Sequence, residues 1–463
     1  MINHMRIKNF KGWQDSGAIR IAPLTLLFGT NSAGKTSIPQ LLLMLRQTIE
    51  SADRQRVLHL GDKSTFVDLG TYEDVVFQHE VERALSFEIG WEASESMSVR
   101  DPLSGSSAES TQMGFEAVIK ADRHRQPIVD RFTYTLGPRA APELKAGVQR
   151  RTTGTKYDLT TERYKEVRQT GRAWPLPAPY HFHAFPDEAV AYYQNTAFVS
   201  DLALRLQELA KSFLHVGPLR EYPNRIYVWS GEQHLHVGQR GERAVEAILA
   251  ARDRKFNWKP KQHRRTLDRL VAERLHQMGL IDDFEVRPIA ENRKEYEVLV
   301  RTHPRLPQVK LTDVGFGISQ VLPVVVECFC TPPGSIVIFE QPEIHLHPKV
   351  QADLADVFVD AIHAREDGKP RNVQFIIESH SEHLIRRLQR LIAEEALTPE
   401  EAALYFVHTD KAEAHIEELE VDLFGNILNW PENFFGDEMA DLVARSEAQA
   451  RRMKAKKKTE EIL

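Results

Sequence analysis

The segment Gly29-Thr30-Asn31-Ser32-Ala33-Gly34-Lys35-Thr36 constrains this chain more than any other, because it fits GxxxxGK[ST] and stands between two elements of different kind. Upstream, the hydrophobic run 24–28 reads as a buried strand; downstream, the apolar spacing predicts a helix over 36–50. A glycine loop that opens a helix presents backbone N–H groups and the positive end of the helix dipole to a polyanion. Lys35 would bridge the outer phosphates of a nucleotide such as ATP, and the hydroxyl of Thr36, or of its neighbour Ser37, would hold Mg²⁺. The predicted nucleotide-binding residues are therefore Gly29, Thr30, Asn31, Ser32, Ala33, Gly34, Lys35, Thr36 and Ser37.

The rest of such a site is legible near the other end of the chain. The apolar strand predicted at 335–340 ends in Glu340, where an acidic side chain would stand beside Mg²⁺. The run continues as Gln341-Pro342-Glu343-Ile344-His345-Leu346-His347-Pro348. A second apolar strand, 375–377, runs into Glu378-Ser379-His380-Ser381, and His380 there would sense the terminal phosphate. Before both, Gly315-Phe316-Gly317-Ile318-Ser319-Gln320 puts two glycines and a serine at the start of an apolar helix, a second potential anion site. One nucleotide seldom needs two such loops. A head-to-tail dimer satisfies both, with Gly315, Phe316, Gly317, Ser319 and Gln320 of one copy covering the ATP held by the other.

Around these segments the pattern changes in blocks. Alternating runs at 85–89, 115–119 and 132–136 predict antiparallel hairpins, with a loop over 94–112. Leu202, Leu206, Leu209 and Phe213 mark one face of a helix, and 242–278 reads as largely helical with Pro260 interrupting it. Strands at 295–301, 335–339, 374–377 and 403–408 then interleave with helices at 319–329, 349–365 and 382–394. The prediction is an α/β P-loop NTPase fold whose sheet is assembled from both ends of the chain. Its expected divisions are an N-terminal half with an antiparallel β lobe over 1–150, a mainly helical insertion over 151–300, a C-terminal half over 301–420 and a tail over 421–463.

With 60 Lys+Arg against 66 Asp+Glu, bulk positive charge cannot drive nucleic-acid binding, so any such contact would be a local patch. The best candidate is 252–269, where Arg252, Arg254, Lys255, Lys259, Lys261, Arg264, Arg265 and Arg269 surround Phe256 and Trp258; the alternative reading is a solvated helix face that contacts an acidic partner protein. The basic run from Arg451 to Lys458 reads as a solvated helix end. Cys328 and Cys330 fit neither a disulfide framework nor a metal clip, and no signal peptide or membrane-length apolar run is evident, so the expected compartment is the cytoplasm. The pairs His181/His183, His234/His236 and His345/His347 have no third ligand at a familiar spacing, so no structural zinc is predicted.

Several further segments carry a resemblance over nearly the whole chain: Arg6-Ile7-Lys8-Asn9-Phe10-Lys11-Gly12, Val67-Asp68-Leu69-Gly70-Thr71-Tyr72 and Gly217-Pro218-Leu219-Arg220-Glu221-Tyr222-Pro223. With the glycine loops, the run from Glu340 to Pro348, Glu378 to His383, Gly425-Asn426-Ile427 and Trp430-Pro431-Glu432-Asn433-Phe434-Phe435, they resemble ABC-type ATPase heads of the SMC, RecF and OLD class. Within that class the chain is most similar to stand-alone bacterial AAA-family ATPases of anti-phage defence systems such as Septu and PARIS. The resemblance implies an ABC/SMC-head fold, with Gly29–Ser37 as Walker A, Ser335–Glu340 as Walker B, Gly315–Gln320 as the signature loop, His380 as the switch histidine and Gln78 as the Q-loop glutamine. It implies Lys35, Gln341, Glu343 and His380 as catalytic residues and Thr36 and Glu340 as metal ligands.

One departure bears on mechanism. The usual Asp-Glu pair at the end of Walker B is here Glu340-Gln341, so an amide occupies the position of the general base. Gln341 can orient water but cannot take its proton, which leaves Glu343 as substitute base and predicts slow hydrolysis. The chain ends about eighty residues after His380, too soon for the nuclease domain that the OLD class carries, so a commanded nuclease or toxin is expected on a separate polypeptide. The alternative implied by the same resemblance is a RecF- or SMC-like DNA-maintenance ATPase stimulated by DNA. A kinase or small GTPase would leave the second glycine loop and His380 without a role.

Overall fold

The computed structural model describes residues 1–463 apart from 104, 106, 172–173, 259–263, 432–443, 450–451 and 453–463. Its core sheet runs in the order Phe213–Val216, Ile336–Glu340, Gln374–Glu378, Leu24–Gly29, Ala402–Asp410, Glu413–Glu418. The first five strands are mutually parallel and the last returns antiparallel. Parallel strands covered on both faces need apolar residues at nearly every position, which is why Ile336–Phe339 and Phe375–Ile377 read as continuous apolar runs and Leu24–Phe28 is broken only by the buried Thr25.

Alternation within these runs divides the core into two clusters. Leu27, Ile336, Ile338, Ile376 and Tyr405 join the Ser37–Ile49 helix, the Phe198–Lys211 helix and the antiparallel lobe. Leu24, Leu26, Phe28, Val337, Phe339, Phe375 and Ile377 face the opposite way, onto the helices Phe316–Cys330, Pro348–His363 and Glu382–Ala393. The result is the predicted α/β fold, with an eight-stranded sheet of antiparallel pairs, spanning 2–162, stacked beyond the Ser37–Ile49 helix.

Two expectations change. The segment 94–112 is a hairpin rather than a loop, since Leu85–Arg100 pairs with Ser107–Ala121 out to Arg100↔Ser107. Its polar sequence conceals a period of two in which Met97 and Val99 face the core. The stretch 151–300 is mixed rather than mainly helical: between the helices Phe198–Lys211, Ala244–Ala250 and Leu267–Gln277 lie several short strands. Phe213 belongs not to the helix whose apolar spacing it continues but to a strand of the core sheet, parallel to the Glu340 strand. Both elements are apolar there, so helical spacing alone could not mark the change.

The fully buried Arg371 ties the end of the Phe316–Cys330 helix to the sheet. Its guanidinium donates to the carbonyls of Cys328 at 3.0 Å, Phe329 at 3.1 Å and Thr331 at 2.8 Å, covering acceptors that a helix C-terminus leaves open.

Candidate ATPase site

The P-loop strand Leu24–Gly29 lies between the Glu378 strand and the Ala402–Asp410 strand, with Leu27 opposite Glu378 and Gly29 opposite Val407. Gly29 adopts φ 137°, and a Cβ there would lie 1.8 Å from the Val407 carbonyl oxygen, so only glycine fits. Gly34 adopts φ 100° and is braced from outside, where the Trp13 indole N–H donates to its carbonyl at 3.2 Å. Asn31 and Ser32 are exposed, Ala33 is buried, and the helix starts at Ser37 with Thr36 as its N-cap residue.

Lys35 is buried, and its Nζ donates to the carbonyls of Gly29 at 3.0 Å and Thr30 at 2.6 Å, which places the ammonium across the loop mouth. Burial lowers its pKa from the ordinary lysine value, and the charges of Glu378 and Glu343 work against that. The Thr36 hydroxyl donates to Glu378 Oε1 at 3.0 Å. The other carboxylate oxygen, Oε2, is buried without a hydrogen-bond partner, and burial pushes the Glu378 pKa up.

Glu340 and Glu378 are opposite each other on adjacent parallel strands, but their side chains are engaged differently. Glu340 Oε1 lies 3.1 Å from His215 Nε2, on the far side from the P-loop strand in sheet order. Past Glu340 the chain turns through Gln341 at φ 45°, whose backbone N–H donates to the Glu378 carbonyl at 2.8 Å. That turn brings Glu343 inward to 6% exposure, where Oε1 accepts the His380 backbone N–H at 2.7 Å and Oε2 has no partner. Burial raises the Glu343 pKa, against the hydrogen bond from His380 and the charge of Arg220. The exposed His380 ring has its pKa lowered, by desolvation first and by the Lys35 charge second.

Lys35, Thr36, Glu343 and His380 thus lie together, and Glu378 joins them. In the sequence Glu378 ends an apolar strand, the same signal that marks Glu340. His215 and Trp13 left no sequence signal for their contacts. Gly315 starts the Phe316–Cys330 helix, and Ser319 and Gln320 are buried within it, with Gln320 Nε2 lacking an acceptor. A Cβ on Gly315 or Gly317 would meet nothing within 4 Å, so the chain's own packing does not demand these glycines. The Phe316 side chain lies outside the described set. Gln78 sits exposed in a tight turn at φ 54°.

Three residues of the basic segment are ion-paired within the chain, while Arg252 and Lys255 are exposed. Arg254 pairs with Glu366 at 2.6 Å, Arg265 with Glu273 at 2.5 Å and Arg264 with Asp367 at 3.4 Å. Phe256 is fully buried and so is not presented for base stacking, and the half-buried Trp258 donates its indole N–H to the Asp360 carbonyl at 2.9 Å. Lys259 and Lys261, like Glu432–Phe435 and most of the basic terminal run, lie outside the described residues. The histidine pairs have structural partners: His183 is buried with its pKa lowered to about 3 and so stays neutral, His236 Nδ1 lies 2.9 Å from the buried Glu327, and His347 Nδ1 accepts from the Lys349 N–H. Among the described residues no three His, Cys, Asp or Glu side chains are grouped to hold a metal ion, and no helix is long and apolar enough to cross a membrane.

Comparison with known families divides the chain as the site does. A family model described as "AAA ATPase domain" matches residues 1–93, and one described as "AAA domain, putative AbiEii toxin, Type IV TA system" matches residues 214–386. Both halves of the site lie in AAA-type ATPase sequence. Residues 397–444 match a model described as "Protein of unknown function (DUF3696)". No curated protein matches the ATPase chain. Among solved structures it is similar to an SMC head bound to the C-winged helix domain of ScpA, at 9% identity and TM-score 0.44, covering 91% of this chain and 98% of that one. An SMC head domain from Thermotoga maritima is 12% identical with TM-score 0.40, over 91% and 99% of the two chains. An SMC head with an extended coiled coil, bound to the C-terminal domain of ScpA derived from Pyrococcus furiosus, is 9% identical with TM-score 0.39, over 90% and 96%.

Proposed function

We propose that the protein binds and slowly hydrolyses Mg-ATP, dimerises head to tail through nucleotide, and regulates a separate effector, a nuclease or toxin, in bacterial anti-phage defence. The observation that carries the ATPase reading is the convergence of Lys35, Thr36, Glu378 and Glu343 at the mouth of a glycine loop lying in AAA-type sequence. The residues fit such a ligand: the Lys35 ammonium spans the loop, and the buried Glu378 Oε2 lacks a partner. Gly29 to Ser37 would hold the phosphates, while Thr36 with Glu378 or Glu340 would hold Mg²⁺, which when bound neutralises charge on the phosphate oxygens.

In hydrolysis the water oxygen bonds to the terminal phosphorus, the bond from phosphorus to the bridging oxygen breaks, and the water proton leaves. Glu343 is suited to receive that proton, since burial raises its basicity and the His380 N–H fixes its orientation. Gln341 cannot act as a base, so turnover is slow and the ATP-bound dimer long-lived. The open space at Gly315 and Gly317 supports the dimer, because it leaves room for a phosphate of the partner copy to approach the helix start.

The match over 214–386 to a model named for a type IV TA system, together with the resemblance to defence ATPases, supports the biological placement. No observation favours the DNA-maintenance alternative, given the ion-paired basic segment. The test is single-turnover hydrolysis of Mg-ATP, with Lys35→Ala as the blank, beside phage plating efficiency on cells carrying either form. Turnover above about 1 s⁻¹ contradicts the slow switch, and a Lys35→Ala protein that protects as well as wild type overturns the nucleotide switch altogether.

A further inference from the structure

Arg220 is buried at 7% exposure, and all three of its guanidinium nitrogens lack a hydrogen-bond acceptor among the described residues. An arginine cannot shed its proton to escape such a site, so an uncompensated guanidinium in the interior is costly unless opposite charge stands close by. The chain path shows what that charge is. Arg220 follows the Phe213–Val216 strand, whose parallel neighbour is the Glu340 strand, so the segment 217–220 leaves the sheet beside the segment 340–343. Its position is fixed on both sides: the Gly217 N–H donates to the Gln239 carbonyl at 2.8 Å and the Glu221 N–H to the Arg240 carbonyl at 2.8 Å. A Cβ on Gly241 would meet Pro323 of the Phe316–Cys330 helix at 2.5 Å and Arg220 Cδ at 3.8 Å, so helix and turn wall in the arginine stem.

The charges acting on Arg220 are those of Glu340 and Glu343, and neither carboxylate bonds to it directly. Glu340 already has His215 as a partner, whereas Glu343 keeps Oε2 free. The other groups that face Glu343 are the His380 backbone N–H, the Ser379 side chain, and the charges of Lys35 and Glu378.

We propose that Arg220 is a positioning residue acting through Glu343: a fixed positive charge behind the carboxylate, opposite the P-loop side, that keeps Glu343 ionised and its free oxygen available to receive a proton. This rests on the ATPase reading with Glu343 as base. Arg220→Met keeps the bulk and removes the charge; Arg220→Lys keeps the charge and loses the guanidinium.

The test is single-turnover hydrolysis between pH 5.5 and 9 for wild type, Arg220→Met and Arg220→Lys, with nucleotide affinity measured alongside. The expected result is an acidic limb displaced upward by about one pH unit in Arg220→Met, the lower end of what one neighbouring opposite charge does, with unchanged affinity and with the limb restored by Arg220→Lys. A rate lowered equally at every pH, or no rescue by lysine, overturns the proposal. If wild type shows no Lys35-dependent turnover, the ATPase reading fails and a cycle without nucleotide decides on Arg220. There the change in Tm caused by Arg220→Met at pH 8 should differ by more than ~2 °C between the wild-type and Glu343→Gln backgrounds, and equal changes overturn the coupling.

Discussion

The hydroxyl of Thr36 donates to Oε1 of Glu378 at 3.0 Å, across a sequence separation of 342 residues, while Glu340 on the next strand is turned to His215. The acid in contact with the P-loop threonine is therefore the one at the end of the adjacent strand. Glu378→Gln is expected to raise the Mg²⁺ concentration required for nucleotide binding by about 10–100-fold, and Glu340→Gln by less. Titrating Mg²⁺ against a fluorescent ATP analogue distinguishes the two, and a larger effect at Glu340 would return the metal to that side.

Glu343 makes a second prediction, in stability. Burial raises its folded-state pKa, so the stabilisation associated with this group is complete below the ordinary value of 4.5 and is lost as pH rises through the folded value. Glu343→Gln cannot ionise and can still accept the His380 N–H. Its Tm should match wild type near pH 5 and exceed it increasingly toward pH 8. A Tm difference that is flat across this range sinks the assignment of a raised pKa.

Gly317 tests the dimer. It lies within the Phe316–Cys330 helix with open space where a Cβ would stand, so Gly317→Ala should stabilise the isolated chain by about 0.5–1 kcal/mol. In the proposed dimer the same methyl group meets the partner. ATP-dependent association, followed by sedimentation, should weaken while Tm without nucleotide stays the same or rises. Undiminished association would remove this loop from the interface.

Arg371 lies at the opposite end of that helix. Arg371→Ala leaves the carbonyls of Cys328 and Phe329 without their buried donor, while the Thr331 carbonyl keeps the Arg254 guanidinium at 3.2 Å, and should cost about 3–5 kcal/mol. Chemical denaturation measures it, and a loss below ~1 kcal/mol would show that other donors reach these carbonyls.

The parts of the site legible in sequence are those governed by local rules. Gly29 and Gly34 are needed for positive φ and close approach, and the apolar strand before them is buried on both faces, so both appear in the local pattern. Long-range partners obey no such rule. Nothing near His215 in sequence marks the distant Glu340, and the indole of Trp13 reaches Gly34 because the first hairpin folds over the P-loop. The partners of Arg254 and Arg264 in the basic segment, Glu366 and Asp367, are likewise distant in sequence.

The arrangement of the core sheet also sets a timetable for biosynthesis. The Leu24–Gly29 strand is held between Gln374–Glu378 and Ala402–Asp410, so the P-loop strand leaves the ribosome roughly 350 residues ahead of either neighbour. At 5–20 residues per second that is roughly 20–70 s with both of its edges unpaired. An N-terminal fragment would hold the entire glycine loop and have no sheet to pull it taut. Nascent chains should therefore remain blind to nucleotide until the Ala402–Asp410 strand has emerged.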